Sequence, residues 1–230
     1  PLGAVLDPIE IARLTGVIQA AYSLRQDLAP LRDHYPRIWR IASAIPDLRG
    51  ATRPIEGRIS ADGRLEDHAS VDLGNLRRRI ASLEAKAQTA LQSIVDHAAS
   101  LGLLQDAYVT VRGDDFVIPV RTEARSFIPG IVHGASGTGA TVFVEPLETL
   151  ELNNEVVTLR DEELAEVRRI LSEWSESLRS RLPEIRRACE HLAQIDLLGA
   201  IGVFGVTYGA TIAGDGSGGH LRLMEARHPV

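Results

Sequence analysis

Cysteine is almost absent from this 230-residue sequence: Cys189 stands alone. One thiol excludes an internal disulfide and fits a reducing compartment, so a cytoplasmic location is expected. Aromatic residues make up only 4%, so burial must rest on Leu, Ile, Val and Ala, a mix that favours helix-on-helix packing. Lysine is reduced to Lys86 and nearly all positive charge is arginine, read first as genomic bias, although arginine suits phosphate recognition. No apolar run reaches the roughly 18 residues of a membrane span, and no signal-peptide pattern opens the chain. The apolar stretch from Leu197 to Val206 is too short to span and carries three glycines, so no membrane partner is expected. Formal net charge is −6, a field that repels nucleic acid and acidic membranes, so contact with a polyanion needs a local basic patch.

What is present is long, regular helix. Leu73, Leu76, Ile80, Leu83, Ala87, Ala90, Ile94 and Leu101 follow 3-4 spacing, which predicts a heptad seam behind an N-cap at Ser70 or Asp72. A helix from Asp72 to Leu101 would extend about 45 Å, and Gly102 is its expected stop. Leu150, Val157, Leu164, Leu171, Leu178 and Ile185 lie seven apart, with Val167 and Trp174 between them, predicting a second long helix that starts near Leu147. Leu182-Pro183 marks a break into a third, running to about Tyr208. Upstream, Asp7-Pro8 opens a helix over residues 9–28, and a short one follows at about 32–44. Ala61-Asp62-Gly63 predicts a hairpin turn within residues 53–68.

Between Gln105 and Pro146 the period changes to two. Tyr108, Val109 and Val111, then Phe116, Val117, Ile118 and Val120, flank Gly113-Asp114-Asp115; Ile131 and Val132, then Thr141 to Val144, flank a glycine-rich turn. Four short strands between two heptad helices imply antiparallel helices with the strands at their far end. The expected fold is mainly α with a small β-rich insertion, an extended arm rather than a compact bundle with a β insertion. The expected division is arm helices over 1–104 with a hairpin near 55–66, a β-rich tip over 105–146, returning helices over 147–219, and a strand over 220–230. The chain opens at Pro1 without an initiator Met and ends just after strand-like Leu221–Met224, so a fragment of a longer protein is expected.

Chemistry-bearing motifs are few. His133-Gly-Ala-Ser-Gly-Thr-Gly-Ala-Thr141 lacks the Gly-Lys-Ser/Thr ending of a phosphate-cradling loop and leads into a strand, so no nucleotide site is expected there. The histidines at 34, 68, 97, 133, 191, 220 and 228 show no paired metal spacing, and no metal or catalytic residue is expected. Cys189 and His191, two apart on a helix, point in different directions. The run Arg77-Arg78-Arg79 is expected on the solvent side of the seam. Asn153-Asn154 interrupts the apolar seam, either to set register or to bond tip backbone. The tip carries three arginines against five acidic residues, a net −2. Phosphate contact is expected from one side of it, through Arg112, Arg121, Arg125, His133, Ser136 and Thr138, modest and salt-sensitive.

These segments carry a family resemblance. Asp67-His68-Ala69-Ser70, Tyr108 to Arg112, Phe116 to Val120, Gly130 to His133, Ser136 to Pro146 and Leu152-Asn153-Asn154 resemble the second bacterial MutS family. Ile195 to Leu198 and Ala226-Arg227-His228-Pro229 are shared more broadly with MutS proteins. The resemblance implies the core, lever and clamp region of a dimeric parent, with ATP and Mg2+ bound in an ATPase domain beyond Val230 and usually a C-terminal nuclease domain. It implies a noncatalytic segment that grips branched DNA and serves suppression of recombination, or an arm that engages collided ribosomes; a purely structural spacer is the third reading. One position departs: family tips often follow the first strand with Gly-Arg-Tyr, where this chain has Asp114-Asp115-Phe116. A positive position is acidic here, which argues against tight phosphate binding by that hairpin.

Overall fold

A computed structural model describes residues 4–113 and 115–210. In chain order the elements are α1 (Pro8–Leu28), α2 (Pro36–Ser43), α3 (Arg49–Thr52), α4 (Val71–Ser100), β1 (Thr110–Arg112), β2 (Asp115–Arg121), β3 (Gly130–Ala135), β4 (Thr141–Pro146), α5 (Leu147–Ser180) and α6 (Leu182–Tyr208). The fold is mainly helical with one small antiparallel sheet. The strand expected over 220–230 lies outside the described residues. The chain divides into two compact units, Pro1–Ile9 with Gly57–Ser175, and Glu10–Glu56 with Glu176–Val230.

In the first unit α4 begins at Ser70, whose hydroxyl oxygen accepts the Leu73 N–H at 3.0 Å. This N-cap satisfies one of the donors a helix start leaves unpaired. The helix ends where Gly102 adopts φ +71°, a left-handed turn in which the Leu103 N–H reaches back to the Ala98 carbonyl at 3.0 Å. α4 and α5 run antiparallel: Ser70 meets Glu166, Arg77 meets Glu163 and Glu84 meets Arg160. Ile80, Leu83, Val156 and Leu159 form their shared core, flanked by Leu76 and Leu152.

The heptad reading holds for only part of each helix. On α4 the buried residues are Leu73, Ile80, Leu83 and Ala87, then Leu91, Val95 and Ala98. Ala90 and Ile94 fall half-buried, and Leu101 is 59% exposed. An α-helix drifts about 20° per heptad against a strict seven-residue repeat, and beyond Ala87 the partner changes. Leu91, Val95 and Ala98 pack with Leu104, Ile118, Val120, Ala124, Ile128 and Val144 of the sheet and its loops. On α5 the predicted Leu164 is 48% exposed. The residues that meet α4 there are Glu163 and Glu166, because Arg77 and Ser70 stand opposite.

The sheet order is β1-β2-β4-β3, antiparallel throughout. Ile118 pairs with Val144 and Val120 with Val142, and these side chains face the core beneath α4. By alternation Asp115, Val117 and Pro119, with Thr141, Phe143 and Glu145, occupy the other face. Gly130 is fixed by close approach: a Cβ there would lie 2.2 Å from the Glu145 carbonyl oxygen. The hairpin expected over residues 53–68 is reduced to a single bridge, Ile59 with Leu65, too short to extend as strands.

In the second unit Ile11, Ile18, Ala21, Ala42, Ile45, Leu48, Ala51 and Ile55 are buried, as are Leu178, Ile185 and Ala188. The second helix starts at Pro36 rather than near 32, after a 3-10 turn at Ala29–Leu31. From Leu197 onward α6 keeps its apolar residues exposed, including Ile201, Val203, Phe204 and Val206. Extended into one helix, this stretch no longer reads as too short: α6, with a mean hydropathy of 1.3 over 18 residues, is apolar and long enough to cross a membrane by length and composition only. Buried core helices of soluble proteins pass the same test, but none of this window is buried.

Candidate nucleic-acid interface

The six tip residues expected to meet phosphate do not form one patch. Arg121 ends β2 opposite Thr141, beside the turn of Ser136 and Thr138. Arg112 ends β1 opposite Asp115, at the other end of the sheet. Arg125 lies in the 3-10 turn Thr122–Phe127, next to the start of β3. His133 sits within β3.

Their side chains are largely committed within the fold. Arg125 donates to the Ile128 carbonyl at 3.0 Å and the Gly130 carbonyl at 2.6 Å. Those bonds satisfy a loop that would otherwise bury unpaired acceptors. Arg121 donates through Nε to the Leu104 carbonyl at 3.1 Å, and its Nη1 lies 3.9 Å from Glu123. The Arg112 guanidinium stacks over the Phe143 ring, 4.0 Å from its centroid, an arrangement that leaves its edge donors available. The Ser136–Thr141 turn bonds itself: the Ser136 N–H donates to the Thr141 carbonyl, the Gly139 N–H to the Ser136 carbonyl, and the Thr141 N–H to Ser136 Oγ. Thr138 is exposed. Arg121 and Thr138 therefore share one end of the sheet and Arg112 the other, while Arg125 acts as an internal brace.

His133 has partners that no sequence pattern pointed to. Its Nε2 lies 2.7 Å from Glu145 Oε2, and its Nδ1 lies 3.5 Å from Asp115 Oδ2. Glu145 is buried, and its second oxygen accepts Asn153 Nδ2 at 2.7 Å. Asn153 also reaches the Phe116 carbonyl at 3.4 Å, so of its two expected roles it performs the bonding to tip backbone. Asp115, His133 and Glu145 are far apart in sequence, and only the strand order β2-β4-β3 collects them.

The arginine run on α4 also departs from expectation. Arg78 and Arg79 are exposed, but Arg77 is only 21% exposed. It donates to the Leu65 carbonyl, Asp67 Oδ1 and Glu163 Oε1, each at 2.7 Å. Two turns toward the start of α4, Ser70 donates to Glu166 at 2.6 Å while Arg169 forks onto the same carboxylate. The Arg169 guanidinium, and after it the Ser70 hydroxyl, hold Glu166 below the usual carboxylate range. These bonds tie α4, α5 and the segment before Ser70 at one level. Cys189 is an exposed free thiol.

No protein-family model matches the chain. Curated relatives do. The chain is 32% identical over its full length to a protein named endonuclease MutS2 from Geobacillus sp.. It is 34% identical over its full length to the endonuclease MutS2 of Geobacillus thermodenitrificans, and 31% identical to the putative endonuclease MutS2 of Bacillus subtilis. In each case it spans 30% of the relative's length. Over its full length the chain is thus homologous to a stretch of the MutS2 proteins, the second MutS family.

Proposed function

We propose that this chain is the lever and clamp segment of a MutS2-type ATPase, a noncatalytic arm whose tip contacts branched or junction DNA. The observation that carries the reading is the arm itself: α4 and α5, braced by a hydrogen bond and two ion pairs and capped by a four-stranded sheet, in a stretch homologous to proteins named as endonucleases. A 30-residue helix is about 45 Å long, stiff enough to relay ATPase movement to the sheet. The nucleotide, Mg2+ and nuclease chemistry belong to other parts of the parent, which acts as a dimer, and this reading gives the cytoplasmic parent a part in suppressing homologous recombination. At the tip, Arg112 and Arg121 with Thr138 are the side chains left to meet phosphate.

The test is fluorescence anisotropy of junction and duplex DNA against the parent protein as salt is raised. Arg112→Glu with Arg121→Glu should weaken binding about tenfold at low salt. It should also reduce the log–log salt slope by roughly 2, near 0.9 per lost phosphate contact. Unchanged affinity and slope would sink direct contact by this tip.

A second reading is an arm that engages ribosomes, which the net −2 of the tip favours, since acidic surfaces suit basic protein partners. Ribosome capture by the parent, retained in the arginine-to-glutamate variant while DNA binding falls, would support it. Unaltered ribosome capture after deletion of residues 105–146 would reject it.

A further inference from the structure

The geometry points to a divalent metal site at the tip, built by His133 and Asp115 and oriented by Glu145. It does not depend on the DNA reading. Glu145 Oε2 lies 2.7 Å from Nε2, a hydrogen bond that the Nε2–H tautomer of the imidazole donates. Glu145 is itself locked in place, since its other oxygen takes the Asn153 amide and its side chain is 3% exposed. In that tautomer Nδ1 presents a lone pair. What it faces is a second carboxylate, Asp115 Oδ2, at 3.5 Å.

Two lone-pair groups facing each other are an arrangement that a bound cation would satisfy. The 3.5 Å separation lies beyond the usual 2.7–3.2 Å of an N–H···O bond. Two ligands at about 2.1 Å from a tetrahedral Zn2+ lie roughly 3.4 Å apart. The spacing therefore matches a ligand pair across a metal better than a hydrogen bond. The arrangement carboxylate–histidine–metal is the one in which an outer carboxylate fixes the tautomer and raises the basicity of a ligating imidazole. Asp115 and His133 side chains are 27% and 22% exposed, so ions and completing waters have access. One nitrogen with one carboxylate suits borderline first-row ions, Zn2+ foremost, over Ca2+ or Mg2+, which take oxygen ligands. Occupation would tie β2 to β3 across β4, bracing the sheet from its outer face. Arg112, opposite Asp115 in register, is drawn aside by its stack on Phe143.

The experiment is calorimetric titration of Zn2+ into the full chain in a Cys189→Ser background, with 15N NMR of labelled histidine. The expected result is one saturable Zn2+ per chain and a shift of the His133 Nδ1 resonance at saturation. Asp115→Asn should lower affinity at least tenfold, and Glu145→Gln by roughly 10–100-fold through the lost orienting bond. Asp115→Arg, which supplies a tethered cation, should abolish binding while leaving the metal-free melting curve in place. Absence of saturable binding would overturn the proposal. So would equal affinity in Asp115→Asn, or a His133 that carries protons on both nitrogens at pH 7.5 and takes up no Zn2+.

Discussion

Replacing Arg77 should unfasten the end of the arm that lies near Ser70. Its guanidinium serves three acceptors from three segments: the Leu65 carbonyl, Asp67 and Glu163. The Asp67 side chain is 68% exposed, so that pair contributes at most about 0.5 kcal/mol. The Glu163 pair is more sheltered and is worth about 1 kcal/mol. Loss of the Leu65 carbonyl's charged donor costs a further ~1–2 kcal/mol, the penalty of a part-buried acceptor left unmet. Arg77→Met should therefore destabilise the unit by about 2–3 kcal/mol. Arg77→Lys should recover little, since one ammonium cannot hold the fork geometry that reaches all three. Trp174 lies on α5 within this unit and is buried, so in a Trp39→Phe background its fluorescence reports this unit during urea unfolding. A double-mutant cycle with Glu163→Gln should give a coupling near 1 kcal/mol. A loss below about 0.5 kcal/mol, or full rescue by lysine, would refute the account and return Arg77 to the solvated role its sequence context suggests.

Gly130→Ala should destabilise the sheet by about 1–3 kcal/mol, since the new methyl would meet Glu145 backbone rather than a movable side chain; amide hydrogen exchange in β3 and β4 should accelerate. Leu91→Ala, at a fully buried position between α4 and the sheet, should cost about 3–4 kcal/mol, measured as loss of protection in β2 and β4 at unchanged helix content. Glu166 has a folded pKa below its unfolded value. The stability it contributes is therefore present above the usual glutamate range and lost as pH falls through the folded value. Glu166→Gln should flatten that acid limb in pH-dependent urea unfolding and leave the neutral-pH limb parallel to wild type.

How far the sequence foretells this arrangement differs by element. The caps and breaks are legible because each is local chemistry: Ser70 closes the first turn of α4, Gly102 turns left-handed at its end, and Leu182-Pro183 separates α5 from α6. The alternating segments between Gln105 and Pro146 likewise form four strands. The seam is legible only while one helix faces another. Past Ala87 the partner is a sheet, and the buried stripe moves to Leu91, Val95 and Ala98. Heptad counting cannot see a change of partner. Arg77 escapes the pattern for a related reason. A triplet of arginines looks solvated, and nothing local says that Glu163, 86 residues later, will stand opposite the first of them.

The His133 cluster marks the limit more sharply. Metal-site spacing rules look for ligands close in sequence, and Asp115, His133 and Glu145 are spread over three strands. Their meeting depends on β4 inserting between β2 and β3, and on the irregularity between Val132 and Ala135 in the β3–β4 pairing. One signal does exist. Asp115 is acidic in a hairpin where phosphate contact is expected, and alone that reads as a loss of phosphate affinity. Beside His133 and a buried Glu145 it has a second consequence. A basic side chain there would carry its own cation to the two acceptors, whereas aspartate brings a further anion to the cluster. An acidic residue at this position therefore disfavours phosphate and, under the metal proposal, supplies a ligand for a cation from outside the chain. The two effects separate experimentally: Asp115→Arg should strengthen DNA contact by the parent while abolishing Zn2+ binding.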